Sequence, residues 1–398
     1  MTHSIDQDTQ KSAVELLRDM VRIPSYGSEA DVVKYLANRF ERLGIPYRTR
    51  NIGEAGRENI VATWGDGEPS LIFNSHMDIV SPGKPEQWTH PPYGAEVVGD
   101  RIYGRGAADA KGSLAAMIAA LEALVQSGSG LDGKLILTAV GYEEESGIGT
   151  ESEVKAGVLA DAAVIGEPTE LKVHVAHKGV LRLVIRTHGK AAHSSEPWEG
   201  INAISKMGRI ITALDCLAEE ISRRKDPLLG PATLAVTQIE GGIGRNIIPP
   251  GTRLVLDRRL LAQETPESAQ KEIQQVLDQL GAADPEMKLS VELLSRAESA
   301  ATAPEERIVQ TALQSRTRVL GEESQPEGFV ACCDMRFLRN QGNVPSIILG
   351  PGSLDQAHKI DEFVSIDQYL KAVAIYRHLA ESWFQQMYSY PLSGGYNR

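Results

Sequence analysis

Hydrophobic positions along the chain change period from one stretch to the next. In residues 12–23, Leu16, Leu17, Met20 and Val21 fall on one side of a helix that Pro24 stops. A second helix opens at Ser28-Glu29-Ala30-Asp31, lines Val32, Val33, Leu36, Phe40 and Leu43 along one face, and ends at Gly44. The pattern then shifts to short unbroken apolar runs at 59–63, 71–75, 134–140, 162–165 and 346–349, as expected of strands buried on both faces. Helical spacing returns at Leu114, Ile118, Leu121 and Val125, and again over 305–319 and 366–388. Strands alternating with helices predict an α/β domain.

The middle of the chain reads differently. Leu181, Leu183 and Ile185 alternate with Arg182 and Arg186, the period of a half-buried strand. A helix over 202–221, strands over 233–239 and 252–260, a helix opened by Thr265-Pro266 and a strand over 287–293 follow. That order is the split βαβ pattern, a ferredoxin-like α+β insertion. The predicted division is 1–179 and 297–398 for one domain and 180–296 for the other, and 398 residues suit two domains.

Composition narrows the partners. The formal charge of -12 argues against nucleic acid and anionic membranes, and no apolar run is long enough to span a bilayer. The first ten residues are polar and acidic, unlike a signal peptide. Three cysteines, Cys216, Cys332 and Cys333, imply no disulfide framework and a reducing, cytoplasmic setting. Residues 389–398 read as a loose polar tail.

The chemistry collects where strands end. The run Leu71-Ile72-Phe73 leads to His76, with Asp78 two residues on. Such a pair is either a metal-binding imidazole held by a carboxylate or a satisfied core histidine beside a turn. The proline-rich loop over 81–92 is a candidate wall of the site. Asp109 follows a Gly-Arg-Gly loop at a helix start, where it is either a ligand or a helix cap, and phosphate-loop spacing is lacking. After strand 134–140 come Glu143, Glu144 and Glu145, three adjacent carboxylates that repel unless a cation is near. Glu167 follows strand 162–165, and His358 follows strand 346–349. His76, Asp109, Glu145, Glu167 and His358 can together hold two divalent ions, one carboxylate bridging. Nitrogen and oxygen donors without thiolate suit zinc and admit cobalt or manganese. Two ions about 3.5–4 Å apart can activate one water and clamp a carbonyl oxygen. Glu144 is then the spare carboxylate for the water's proton.

These motifs resemble peptidase family M20, the dizinc aminoacylase/carboxypeptidase family that includes acetylornithine deacetylase and succinyl-diaminopimelate desuccinylase. The matching stretches are His76-Met77-Asp78, Asp109-Ala110-Lys111-Gly112, Glu144-Glu145 before Gly147, Gly166-Glu167-Pro168-Thr169, and Ala357-His358 before Asp361-Glu362. Glu143 departs from the family, which often has aspartate there. The resemblance implies a zinc-peptidase-like catalytic domain, a central mixed sheet flanked by helices, with an inserted lid that also dimerises. It implies that His76 and Glu167 bind one zinc, Glu145 and His358 the other, and that Asp109 bridges. Asp78 would orient His76, and Glu144 would be the general base.

In the insertion, the resemblance makes His193 an oxyanion donor to a neighbouring active site, where the residues alone read as a surface loop. Asn246 and Arg259 resemble positions that hold a substrate carboxylate, a task suited to an arginine fork. Arg259 equally fits a sheet-face salt bridge. Cys332-Cys333-Asp334 lies near the site in the family pattern. The expected substrate is a small N-acyl amino acid or a dipeptide. Acetylornithine deacetylase-like hydrolysis leads, with desuccinylase, N-formyl or other N-acyl amidase, and glutamate-releasing carboxypeptidase open. A binding protein that kept the metals and lost the chemistry is the competing class, and retention of Glu144 argues against it.

Overall fold

The buried runs assemble into one mixed sheet. The computed structural model describes residues 6–53, 56–128 and 132–385. The expected tail over 389–398 and the first half of the polar start lie outside the described residues. The described chain divides into two compact units. One runs up to Val175, over Thr302–Glu327 and onward from Cys333; the other comprises Ala176–Ala301 and Gly328–Cys332. The short return at 328–332 had no signature in the hydropathy pattern.

In the first unit, six strands stand side by side: Tyr47–Asn51, Glu58–Gly65, Lys134–Val140, Ser70–His76, Ala162–Ile165 and Ser346–Ile348. The first two and the Glu58–Gly65/Lys134–Val140 pair are antiparallel, whereas the last four strands are mutually parallel. Every residue of Ser70–His76 and of Ala162–Ile165 is buried, as the unbroken apolar runs predict. The edge strand Tyr47–Asn51 is polar and mostly exposed, so its hydropathy carried no strand signal. Helix Lys111–Gln126 is buried from Lys111 through Leu124 and packs between helices Gln7–Arg22 and Ile366–Gln385. Helix Ile148–Lys155 was not anticipated, because what it buries is Gly149, Thr150 and Glu153 rather than an apolar stripe.

In the second unit, the sheet order is Thr233–Gly241, Gly251–Leu260, Gly179–His188, Lys288–Ala297, antiparallel throughout. Helices Ala203–Ser222 and Pro266–Ala283 cover one face, where Leu181, Leu183 and Ile185 meet Met207, Ile210, Leu214 and Ile273. The opposite face carries cross-strand ion pairs, Arg182 to Asp257 and Arg186 to Glu292. Among the described residues no helix is long and apolar enough to cross a membrane.

Candidate active site

Four neighbouring parallel strands end on the same edge, and their carboxyl ends are where open α/β sheets place ligands. His76 closes Ser70–His76, Glu143 and Glu144 follow Lys134–Val140, Glu167 follows Ala162–Ile165, and His358 comes after Ser346–Ile348. Asp109 enters from the loop before helix Lys111–Gln126. Gly350 lets these parts close up. A side chain there would sit 2.1 Å from Ser113 Oγ and 2.5 Å from the Glu167 carbonyl oxygen.

Asp109 lies between the two histidines. Its Oδ1 is 3.3 Å from His76 Nε2 and its Oδ2 is 3.4 Å from His358 Nε2. Glu167 Oε1 lies 4.0 Å from His76 Nε2, and Glu144 Oε2 lies 2.9 Å from His358 Nε2. Two sets of donor atoms each fall within 4.8 Å of one another: His76, Asp109 and Glu144, and His76, Glu143 and Glu167. His76 Nδ1 is 2.9 Å from the Asp78 carbonyl oxygen. A carbonyl only accepts, so Nδ1 carries the proton and Nε2 is free to ligate.

The electrostatics follow from crowding. Burial raises the Glu143, Glu144 and Glu167 carboxyls above their ordinary range; the Asp334 charge adds to the shift at Glu143 and the Asp109 charge to that at Glu144. Burial opposes protonation of His76, but hydrogen bonds to Asp109 and Asp78 outweigh it and hold its pKa well above normal. Hydrogen bonds to Asp109 and Glu144 raise His358 to about 10. Four carboxylates gathered in a buried space call for positive charge. Glu144 Oε1 is buried without a hydrogen-bond partner, an acceptor with spare capacity. An all-oxygen-and-nitrogen donor set of this kind fits divalent metal ions.

Glu145, expected among the ligands, does not join the group. Its side chain is 55% exposed and pairs with Arg57 at 3.3 Å. The reason is backbone geometry. Tyr142 takes a positive φ of 66°, and the Asp78 carboxylate accepts the amide N–H groups of Glu143 and Glu144, both at 3.1 Å. That turn sends Glu143 and Glu144 inward and Glu145 outward. Asp78 therefore grips the acidic loop with its carboxylate, while its carbonyl holds the imidazole.

In the second unit, Ala192–His193 pairs with Ile247–Ile248, which brings His193 beside Asn246. His193 is exposed, with Nδ1 2.7 Å from Ser195 Oγ, and the Asn246 carbonyl accepts the Ser194 N–H at 2.9 Å. Arg259 donates to Asp257 at 2.8 Å, so the sheet-face ion pair is present.

Several residues around the site stand in the quoted motifs but had no role assigned from the sequence. Buried Glu362 accepts from Arg105 at 2.7 Å and from the N–H groups of Ala108 and Asp109 at 2.9 and 3.1 Å, tying the His358 segment to the Asp109 loop. Buried Lys111 donates to the carbonyls of Met20 and Ile23 at 3.0 and 2.7 Å. Asp334 accepts from Thr150 at 2.6 Å. A charged residue inside a stretch rich in glycine and alanine was the available signal for Lys111, whereas Glu362 lies among the charged residues Lys359 and Asp361 and offered none.

The profile described as Peptidase family M20/M25/M40 matches residues 72–382. The chain belongs to that family. It is 31% identical over 386 residues to a succinyl-diaminopimelate desuccinylase of Rhodospirillum centenum, covering 93% of this chain and 97% of the relative. It is 32% identical over 366 residues to an acetylornithine deacetylase of Proteus mirabilis, covering 89% and 92%. Its fold matches an M20 family metallo-carboxypeptidase from Sulfolobus solfataricus with a TM-score of 0.79 at 20% identity, over 95% of this chain and 99% of that one. A dinuclear metal-binding M20 peptidase of Bacillus subtilis aligns with a TM-score of 0.72 at 17% identity, over 95% and 99%. This M20 chain is a metal-dependent hydrolase.

Proposed function

We propose that this chain is a dinuclear deacylase that cleaves the amide of an N-acyl amino acid, in the manner of acetylornithine deacetylase. The observation that carries the reading is Asp109, whose two carboxylate oxygens face two different histidines at 3.3 and 3.4 Å. His76, Asp109 and Glu167 would hold one ion, and Asp109, Glu144 and His358 the other, zinc by donor type with cobalt or manganese as substitutes. When bound, such a pair activates water and polarises the scissile carbonyl.

The chain's own groups do the rest. Glu143, half-buried beside His76 and Glu167, is the general base in place of Glu144: it takes the water's proton and returns it to the leaving amine. Asp78 positions both His76 and the loop that carries Glu143. His193 donates to the developing oxyanion in a partner subunit's site, within a homodimer formed through the second unit. Asn246 and Arg259 hold the substrate's carboxylate, Arg259 exchanging its Asp257 partner for it. No disulfide joins the three cysteines, which supports a cytoplasmic setting.

A desuccinylase is the second reading. It is supported by the relative of that name at nearly the same identity as the deacetylase, so likeness alone does not choose the acyl group. The test is a hydrolysis screen with zinc or cobalt across N-acetyl, N-succinyl and N-formyl amino acids, dipeptides and glutamate conjugates. Turnover of an N-acetyl amino acid with the highest kcat/KM is expected. Preference for unblocked dipeptides would replace deacylase with peptidase.

A further inference from the structure

Three consecutive glutamates leave a register problem: a slip of one residue would exchange a ligand, a base and a solvent-facing side chain, all chemically identical. We infer that Arg57 is the positioning residue that sets this register, by holding Glu145 out of the metal site. The inference rests on the reading of Glu143 as base and Glu144 as ligand.

Arg57 is 8% exposed and touches the acidic loop in two ways. Its guanidinium lies 4.3 Å from the centre of the Tyr142 ring and 3.3 Å from Glu145 Oε1. It is itself fixed from below by fully buried Glu29, at 2.6 Å. Glu29 reaches that place because residue 141 is glycine, where a Cβ would stand 2.8 Å from Glu29 Oε2. The cation thus sits against both the residue with the left-handed backbone turn and the third glutamate. Asp78 holds the same loop from the other side through the N–H groups of Glu143 and Glu144. Hydrogen bonds to the backbone fix which places on the turn face inward, but every residue offers the same N–H, so they do not by themselves choose which of the three glutamates fills each place. Arg57 supplies that discrimination by giving Glu145 an alternative cation. Without it, Glu145 is free to compete with Glu144 for a metal ion.

The test is epistasis read by zinc binding. Zinc content and competition titrations against a chelator compare wild type, Glu145→Gln, Arg57→Met and Arg57→Met/Glu145→Gln. Glu145→Gln should bind zinc as the wild type does. Arg57→Met should weaken zinc by about 10–100-fold, the usual effect of a residue that acts on ligands from behind. The double variant should recover much of that loss, because glutamine is a poor competitor for the ion. Arg57→Met strands the buried Glu29 carboxylate, so the series is repeated in a Glu29→Gln background, where folding does not depend on that pair. Recovery in either background supports the inference. Intact zinc binding in Glu145→Gln with no improvement in the double variant overturns it, since a purely structural role for Arg57 is not relieved by removing a competitor. Zinc lost in Glu145→Gln alone overturns the reading of Glu144 as the ligand, and the inference with it.

Discussion

Glu143→Gln and Glu144→Gln are isosteric changes one residue apart, and they should fail in opposite ways. Glu143 lies within 4.8 Å of His76 and Glu167 donors, but the group retains both histidines, Asp109, Glu144 and Glu167 without it. Its loss should therefore leave both ions bound and remove proton transfer. General-base catalysis contributes about 10²–10⁴-fold, or about 3–5.5 kcal/mol at 1.36 kcal/mol per tenfold. KM should move little, because no ground-state contact is lost. Glu144 is different. Its Oε2 is 2.9 Å from His358 Nε2, and its Oε1 is buried with spare accepting capacity, so both oxygens belong to the ion-binding group. Glutamine there removes one of four gathered charges. The loss of metal affinity should exceed the 10–100-fold typical of residues behind the ligands. Elemental analysis after dialysis, paired with kcat and KM at saturating metal, separates the two. Glu143→Gln activity within about tenfold of wild type, or loss of an ion in that variant while Glu144→Gln keeps both, would refute the assignment.

Three further outcomes are expected. Mixing Glu143→Ala with His193→Ala after dissociation should restore about a quarter of wild-type activity, since about half the random dimers are mixed and each has one complete site; no recovery, with mixed dimers present, excludes His193 acting on the partner. Gly350→Ala should weaken metal binding as well as stability, because the new carbon would meet Ser113 Oγ at 2.1 Å and the Glu167 carbonyl at 2.5 Å; unchanged zinc content would show that the strand ends give way. Burial holds His174 down at about 4, whereas an unfolded chain takes up that proton at about 6.5. The His174 contribution to stability should therefore fall by about 3 kcal/mol as the pH drops from about 6.5 to about 4. Urea unfolding across that window should be flatter for His174→Gln, and parallel curves would remove His174 as the cause.

What the sequence revealed depended on whether the signal was periodic or singular. The ferredoxin-like unit was readable strand by strand, because Leu181, Leu183 and Ile185 face one core while Arg182 and Arg186 face away. The parallel core strands were readable as unbroken apolar runs. The strand Tyr47–Asn51 was not, since an exposed polar edge gives no alternation. At the site, His76, Asp109, Glu167 and His358 come from four separate strand or loop ends, and the structure brings the four together. Glu143, Glu144 and Glu145 were not separable, because their chemistry is identical and the choice is made by Asp78 and Arg57, 65 or more residues away along the chain. Long-range contacts of that kind leave no local period to read.

Helix Lys111–Gln126 is enclosed on nearly every side, and a backbone amide in such a place exchanges its hydrogen only when the surrounding domain comes apart. Asp109 is attached two residues ahead of this helix. His358 sits on an exposed turn with φ of 63°. The centre is thus assembled from segments of unequal lifetime. In partial opening the His358 turn is released early, and the carboxylate shared by both histidines stays with the last part of the chain to let go.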